Sequence, residues 1–128
     1  MAKILVAEDE KQIADMIAFK LTNSGHQVIR AQDGEEAMKL VKRDLPDLIM
    51  LDAMMPGLNG FEVLRRLKAD PALRSVPVIM VTAKGHERDV LSGLRGGAVD
   101  YVVKPFSLKE LAARVDLALG KEQPPTTP

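Results

Sequence analysis

Five short apolar runs alternate with longer amphipathic stretches along this chain: Ile4-Leu5-Val6-Ala7, Val28-Ile29, Leu48-Ile49-Met50-Leu51, Val78-Ile79-Met80-Val81 and Tyr101-Val102-Val103. The first, third and fourth are apolar at every position. A strand with one wet face alternates instead, so these runs predict strands covered on both sides, as in a parallel sheet with helices on either face.

The stretches between them carry helical spacing. Ile13, Met16, Ile17 and Leu21 form one stripe, with Gly25 beyond it as a C-terminal cap. Asp33-Gly34-Glu35-Glu36 reads as a capping box for a second helix, which carries Ala37, Leu40 and Val41 and ends near Pro46. Asn59-Gly60-Phe61-Glu62 has the same form and opens a third, with Val63, Leu64 and Leu67. A fourth helix is predicted from about Glu87 to Arg95, before Gly96-Gly97. Ser107-Leu108-Lys109-Glu110 opens a fifth, whose stripe is Leu108, Leu111, Ala112, Val115 and Leu119. The pattern is (βα)₅ of the α/β class, a doubly wound parallel sheet in the order 2-1-3-4-5 with helices on both faces.

With 128 residues there is room for one domain, expected over residues 1–120, followed by a disordered tail or linker at 121–128 containing Gln123-Pro124-Pro125-Thr126-Thr127-Pro128. Lys plus Arg and Asp plus Glu are 18 each, which argues against direct nucleic-acid binding or a grip on anionic membrane. The absence of Cys excludes disulfides, thiolate nucleophiles and cysteine metal sites. No apolar run approaches the roughly 20 residues that cross a bilayer. Met1-Ala2-Lys3 leads into the first strand without a signal-peptide core, so a soluble cytoplasmic domain is expected.

Polar residues interrupt the apolar runs at four strand ends: Glu8-Asp9, Asp52, Thr82 and Lys104. Taken singly, each has an ordinary reading as a cap, a turn residue or a solvated side chain. Strands one, three, four and five are neighbours in the expected order, so these side chains converge at the carboxyl edge of the sheet, where such folds bind ligands. Three carboxylates cannot crowd together as anions without a cation, and oxygen ligands suit Mg²⁺ or Mn²⁺. Mg²⁺ takes phosphate oxygens as further ligands, and a carboxylate can attack phosphorus to form an aspartyl phosphate. Asp52, at the end of the central strand, is the candidate nucleophile; Lys104 and Thr82 are suited to neutralising phosphoryl oxygens.

Four segments, Ile4-Leu5-Val6-Ala7-Glu8-Asp9-Glu10, Leu51-Asp52-Ala53-Met54-Met55-Pro56-Gly57-Leu58-Asn59-Gly60, Val81-Thr82-Ala83 and Asp100-Tyr101-Val102-Val103-Lys104-Pro105-Phe106, together resemble the receiver domain of bacterial response regulators, the CheY-like phosphoacceptor of two-component signalling. The likeness covers about residues 3–120. It implies that Asp52 accepts a phosphoryl group from the phosphohistidine of a sensor histidine kinase or phosphotransfer protein. It further implies that Glu8, Asp9, Asp52 and the Met54 carbonyl organise Mg²⁺, with Lys104 pairing the phosphoryl oxygens. On activation Thr82 would move toward them, and Tyr101 would change rotamer. That couples the site to the face built by the fourth helix, fifth strand and fifth helix, and so to an output domain or partner. A cis Lys104–Pro105 bond is implied as well.

The motif details resemble regulators whose receiver precedes a winged-helix DNA-binding domain and dimerises through that face. Asp100, Glu110 and Arg114 fit its ion pairs, whereas Val90 and Val99 stand where charged residues are usual. A monomer, or a homodimer promoted by phosphorylation through that face, is therefore expected. Kinase choice would lie with Lys11, Gln12, Asp15 and residues 106–109. The resemblance leaves both a stand-alone regulator and a piece of a longer one open.

Other readings compete. A phosphohydrolase acting through an aspartyl phosphate usually has a second Asp two residues on, where this chain has Met54. A flavin module needs a phosphate loop after strand one, where Glu8-Asp9 would repel the phosphate. A degenerate receiver is the third alternative. Met50 and Met80 read as core filler, and His26 and His86 as solvated surface residues.

Overall fold

A computed structural model describes residues 1–83, 91 and 95–120. Five parallel strands, β1 (Lys3–Ala7), β2 (Gln27–Ala31), β3 (Leu48–Asp52), β4 (Val78–Ala83) and β5 (Asp100–Lys104), form one sheet in the order β2-β1-β3-β4-β5. Helices α1 (Lys11–Asn23), α2 (Gly34–Asp44), α3 (Gly60–Ala69) and α4 (Leu108–Ala118) cover it. The last of these is the fifth helix of the sequence reading. Most of the fourth, and the tail at 121–128, lie outside the described residues.

The strands are apolar at every position because each face has its own core. Leu5, Ala7, Ile49, Leu51, Val78 and Met80 point to one side, where Ala37, Val41, Val63, Leu64 and Leu67 of α2 and α3 pack. Ile4, Val6, Leu48, Met50, Ile79 and Val81 point to the other, against Ile17 and Leu21 of α1 and Leu111 and Val115 of α4. Every residue of β3 is buried. At about 1.5–3 kcal/mol for each large apolar side chain removed from water, these two layers dominate the stability of the domain.

The caps form in part as expected. Asp33, Asn59 and Ser107 each accept a hydrogen bond from the backbone N–H three residues on, at Glu36, Glu62 and Glu110. The reciprocal halves of the boxes do not form. Glu36 accepts instead from the N–H of Gln32, while Glu62 pairs with Arg65 and Glu110 with Arg114.

Two readings need correction. Met16 stands at the edge of the α1 stripe and is half exposed. His26 is buried, not solvated. The end of α1 is a Schellman turn, with Gly25 at φ 92° and the N–H groups of Gly25 and His26 reaching Thr22 and Leu21 carbonyls. That turn brings His26 to a buried position beside the start of β1, where its Nδ1 accepts the N–H of Ala2 at 3.2 Å. Its Nε2 lies 3.8 Å from Asp116. His86 lies outside the described residues.

Candidate phosphoacceptor site

The carboxyl edge of the sheet gathers the polar residues. Glu8 follows β1, its N–H bonded to the Ala31 carbonyl of β2. Asp52 closes β3 opposite Val81, and Ala83 of β4 stands opposite Lys104 of β5, so Thr82 lies between the two chain ends that carry Asp52 and Lys104. Glu8, Asp52 and Thr82 are all buried.

Asp52 is held from two sides. Its Oδ1 accepts the N–H of Met54 at 3.0 Å, and its Oδ2 lies 3.0 Å from Lys104 Nζ. The segment after β3 turns back tightly: the N–H of Gly60 bonds to the Ala53 carbonyl, and a Cβ at residue 60 would overlap the Asp52 carbonyl oxygen. Only glycine lets α3 begin this close to the strand end that presents Asp52.

Lys104 meets three carboxylates. Besides Asp52, its Nζ lies 3.2 Å from Glu8 Oε1 and 3.3 Å from Glu10 Oε1. Burial raises the Glu8 carboxyl to about 8, and a hydrogen bond to Asp52 and the nearby Asp52 charge push the same way. Burial works against the Lys104 ammonium, but the hydrogen bond with Asp52 and the charges of Asp52 and Glu8 outweigh it and hold the group above its ordinary range. The pocket thus gathers more carboxyl groups than one ammonium neutralises, which favours the protonated form of Glu8.

Such a donor set fits a hard divalent cation. Among the described residues, one group of possible metal ligands stands out, Glu8, Glu10 and Asp52, whose carboxylate oxygens all lie within 4.8 Å of one another. Asp9, expected as a direct ligand, is exposed and outside that group. It lines an adjoining cleft of about 820 Å³ with Glu8, Lys11, Arg30, Gln32 and Asp33. Glu10 is the residue that sequence reasoning quoted in a motif without giving it a role.

The Thr82 hydroxyl is buried and has no hydrogen-bond partner among the described residues. Tyr101 is buried in the core layer of α2 and α3, and the Lys104–Pro105 bond is cis. The Met54 side chain is 60% exposed beside the site. Arg114 pairs within the chain, at 2.7 Å to Asp100 and 3.3 Å to Glu110.

Fold and site together define a doubly wound α/β domain with an acidic pocket at the carboxyl ends of its strands. The family model for the response regulator receiver domain matches residues 4–116, and the chain belongs to that family. The chain is 43% identical over 122 residues to the phosphate regulon transcriptional regulatory protein PhoB of Escherichia coli strain K12, covering 95% of this chain and 53% of that protein. It thus spans about half the length of the curated relatives it matches. Among solved structures it is similar to a putative response regulator from Chloroflexus aurantiacus, with a TM-score of 0.90 and 34% identity, covering 93% of this chain and 98% of that one. It is also similar to the receiver domain of sensor histidine kinase PA1611 of Pseudomonas aeruginosa PAO1, which holds a magnesium ion in its active site cleft; there the TM-score is 0.85 and the identity 31%, over 93% of this chain and 98% of that one.

Proposed function

We propose that Asp52 is the phosphoacceptor and that this chain takes a phosphoryl group from the phosphohistidine of a sensor kinase or phosphotransfer protein. A carboxylate oxygen of Asp52 forms the new bond to phosphorus, the P–N bond breaks, and its electron pair leaves with the imidazole nitrogen. The observation that carries this reading is the buried Asp52 carboxylate held by the Met54 N–H and the Lys104 ammonium, with Glu8 beside it. A divalent cation, Mg²⁺ or Mn²⁺, would be held by Glu8, Asp9, Asp52 and the Met54 carbonyl, and supplies charge neutralisation of the phosphoryl oxygens.

The chain's own residues do the rest. Lys104 donates to a phosphoryl oxygen, and its rigid place at the end of β5 removes the need for reorganisation. The Thr82 hydroxyl is the buried donor with no partner among the described residues, so moving toward the phosphoryl group gains a hydrogen bond without breaking one. Tyr101, beside Val102 and Val103 on β5, carries the change to the face of β5 and α4, where an output domain or partner would read it. The chain acts as a signalling phosphoacceptor and not as a turnover enzyme.

The balanced charge of the chain favours an output delivered through a partner or a further domain over direct contact with nucleic acid. No helix among the described residues is long and apolar enough to cross a membrane, which supports a cytoplasmic site of action. We assign residues 1–120 to the receiver unit and 121–128 to a tail or linker. The intrachain pairing of Arg114 with Asp100 and Glu110 favours a monomer at rest, with any homodimer through the β5 and α4 face forming after phosphorylation.

Borohydride reduction of the acetyl-phosphate-treated protein, followed by peptide mapping, tests the assignment. Acyl phosphates are reduced to the alcohol, so homoserine is expected at position 52. Reduction at another carboxylate, or none, would refute it.

A further inference from the structure

An ammonium has three N–H donors, and Lys104 faces three carboxylates: Asp52, Glu8 and Glu10. If Asp52 is phosphorylated, Lys104 must also receive a phosphoryl oxygen, so one of the three must yield. The three are not equivalent. The Glu8 and Asp52 side chains are 2% and 5% exposed, whereas that of Glu10 is 61% exposed. Glu8 and Asp52 have no water at hand to replace a lost contact with Lys104, but Glu10 can turn into solvent and be hydrated at once.

A second observation singles out Glu10. It occupies the N-cap of α1, where a side chain ordinarily accepts a backbone N–H, and it makes no such bond. Its own N–H is tied to Glu8 Oε2 at 3.1 Å, and its carboxylate reaches Lys104, 94 residues along the chain. The helix forgoes a cap while the carboxylate serves the pocket.

We propose that Glu10 is a positioning residue that holds Lys104 at rest, occupying the ammonium donor that an incoming phosphoryl oxygen takes, and that its release limits the affinity of the site for phosphoryl anions. This rests on the reading of Asp52 as phosphoacceptor. The Glu10 carboxylate competes with the phosphoryl group for Lys104 and repels it, so removing that contact tightens binding of a phosphoryl mimic. A charge interaction of this range at a wet surface corresponds to roughly a threefold to tenfold effect.

The test uses calorimetric titration of the whole chain with beryllium trifluoride at saturating Mg²⁺, and with Mg²⁺ alone, comparing wild type, Glu10→Gln and Glu10→Asp. Gln removes the charge; Asp keeps it but withdraws the carboxylate by one methylene from Lys104. Both variants are expected to bind beryllium trifluoride at least threefold more tightly, with Mg²⁺ affinity reduced less than tenfold. A smaller gain, or weaker binding, in either variant overturns the proposal; a gain confined to Gln would mean diffuse charge and not the contact. Loss of Mg²⁺ affinity by tenfold or more would make Glu10 a metal ligand and overturn it equally. Wild-type protein that fails to bind beryllium trifluoride would sink the phosphoacceptor reading itself, before any variant is compared.

Discussion

Lys104 Nζ lies 3.0 Å from Asp52 Oδ2, joining residues 52 positions apart across the carboxyl end of β4. Both groups sit at strand termini whose backbones are fixed by the sheet ladder, so neither side chain has to be ordered when a ligand arrives. That fixed placement is what positioning and charge neutralisation demand of a phosphoryl-transfer site.

Replacing Lys104 with Met keeps the stem and removes the ammonium. Phosphorylation by acetyl phosphate is expected to slow at least about 100-fold, the loss typical of one donor aimed at developing charge. Mg²⁺ affinity should rise, because the resident cation no longer competes for the same carboxylates. Paired measurements of phosphorylation rate and Mg²⁺ titration check this, and a variant that reacts at the wild-type rate contradicts it.

Thr82→Val deletes a buried hydroxyl that lacks a partner among the described residues while keeping the shape of the side chain. The resting protein should gain about 1 kcal/mol of stability, since an unsatisfied polar group no longer has to be buried. The conformational response to phosphorylation should be lost in the same variant. Urea denaturation reads the first effect and amide spectra with beryllium trifluoride the second. A destabilised resting state would mean that the hydroxyl is already bonded at rest.

Glu8 in the folded, metal-free protein is raised from 4.5 to about 8. The folded state therefore holds a proton that the unfolded chain gives up above its ordinary carboxyl value. The resulting stabilisation is fully present below about pH 4.5 and is lost as pH rises through about 8. Metal-free stability should fall over that window, and Glu8→Gln should flatten the fall. Because Mg²⁺ displaces the proton, its apparent affinity should rise by up to about tenfold per pH unit below pH 8. Mg²⁺ titrations at a series of pH values check the sign, and an affinity independent of pH would contradict it.

The exposed, apolar Met54 side chain offers no hydrogen bond to a water approaching phosphorylated Asp52. Slow loss of the phosphoryl group is expected, and Met54→Asn should accelerate it about threefold to tenfold, the effect of one hydrogen bond of about 1 kcal/mol. Decay of the phosphorylated form, followed by mass after removal of the donor, decides the matter. Faster decay in wild type would overturn the expectation.

The sheet is legible in the sequence because burial on both faces writes itself as unbroken apolar runs; Leu48 to Leu51 has no other economical reading. Glu8, Asp52, Thr82 and Lys104 stand out for the complementary reason, as polar residues that end such runs at one edge. Glu10 does not stand out. It is exposed and sits where a solvated helix cap belongs, and its role depends on the end of β5 arriving 94 residues later. His26 is hidden in the same way, since its burial follows from a Schellman turn and from the N–H of Ala2, neither of which a lone histidine announces. Asp9, adjacent to Glu8 in sequence, lies past the end of β1, where it is exposed and lines the adjoining cleft together with Glu8.

The central claim is that Asp52 accepts a phosphoryl group with the help of a divalent cation. Intact mass spectrometry after incubation with acetyl phosphate, with and without Mg²⁺, in wild type and Asp52→Ala, tests it most directly. The account predicts a gain of one phosphoryl group in the wild type with Mg²⁺ and none in the other three samples. No gain in the wild type, or an equal gain in Asp52→Ala, would contradict it.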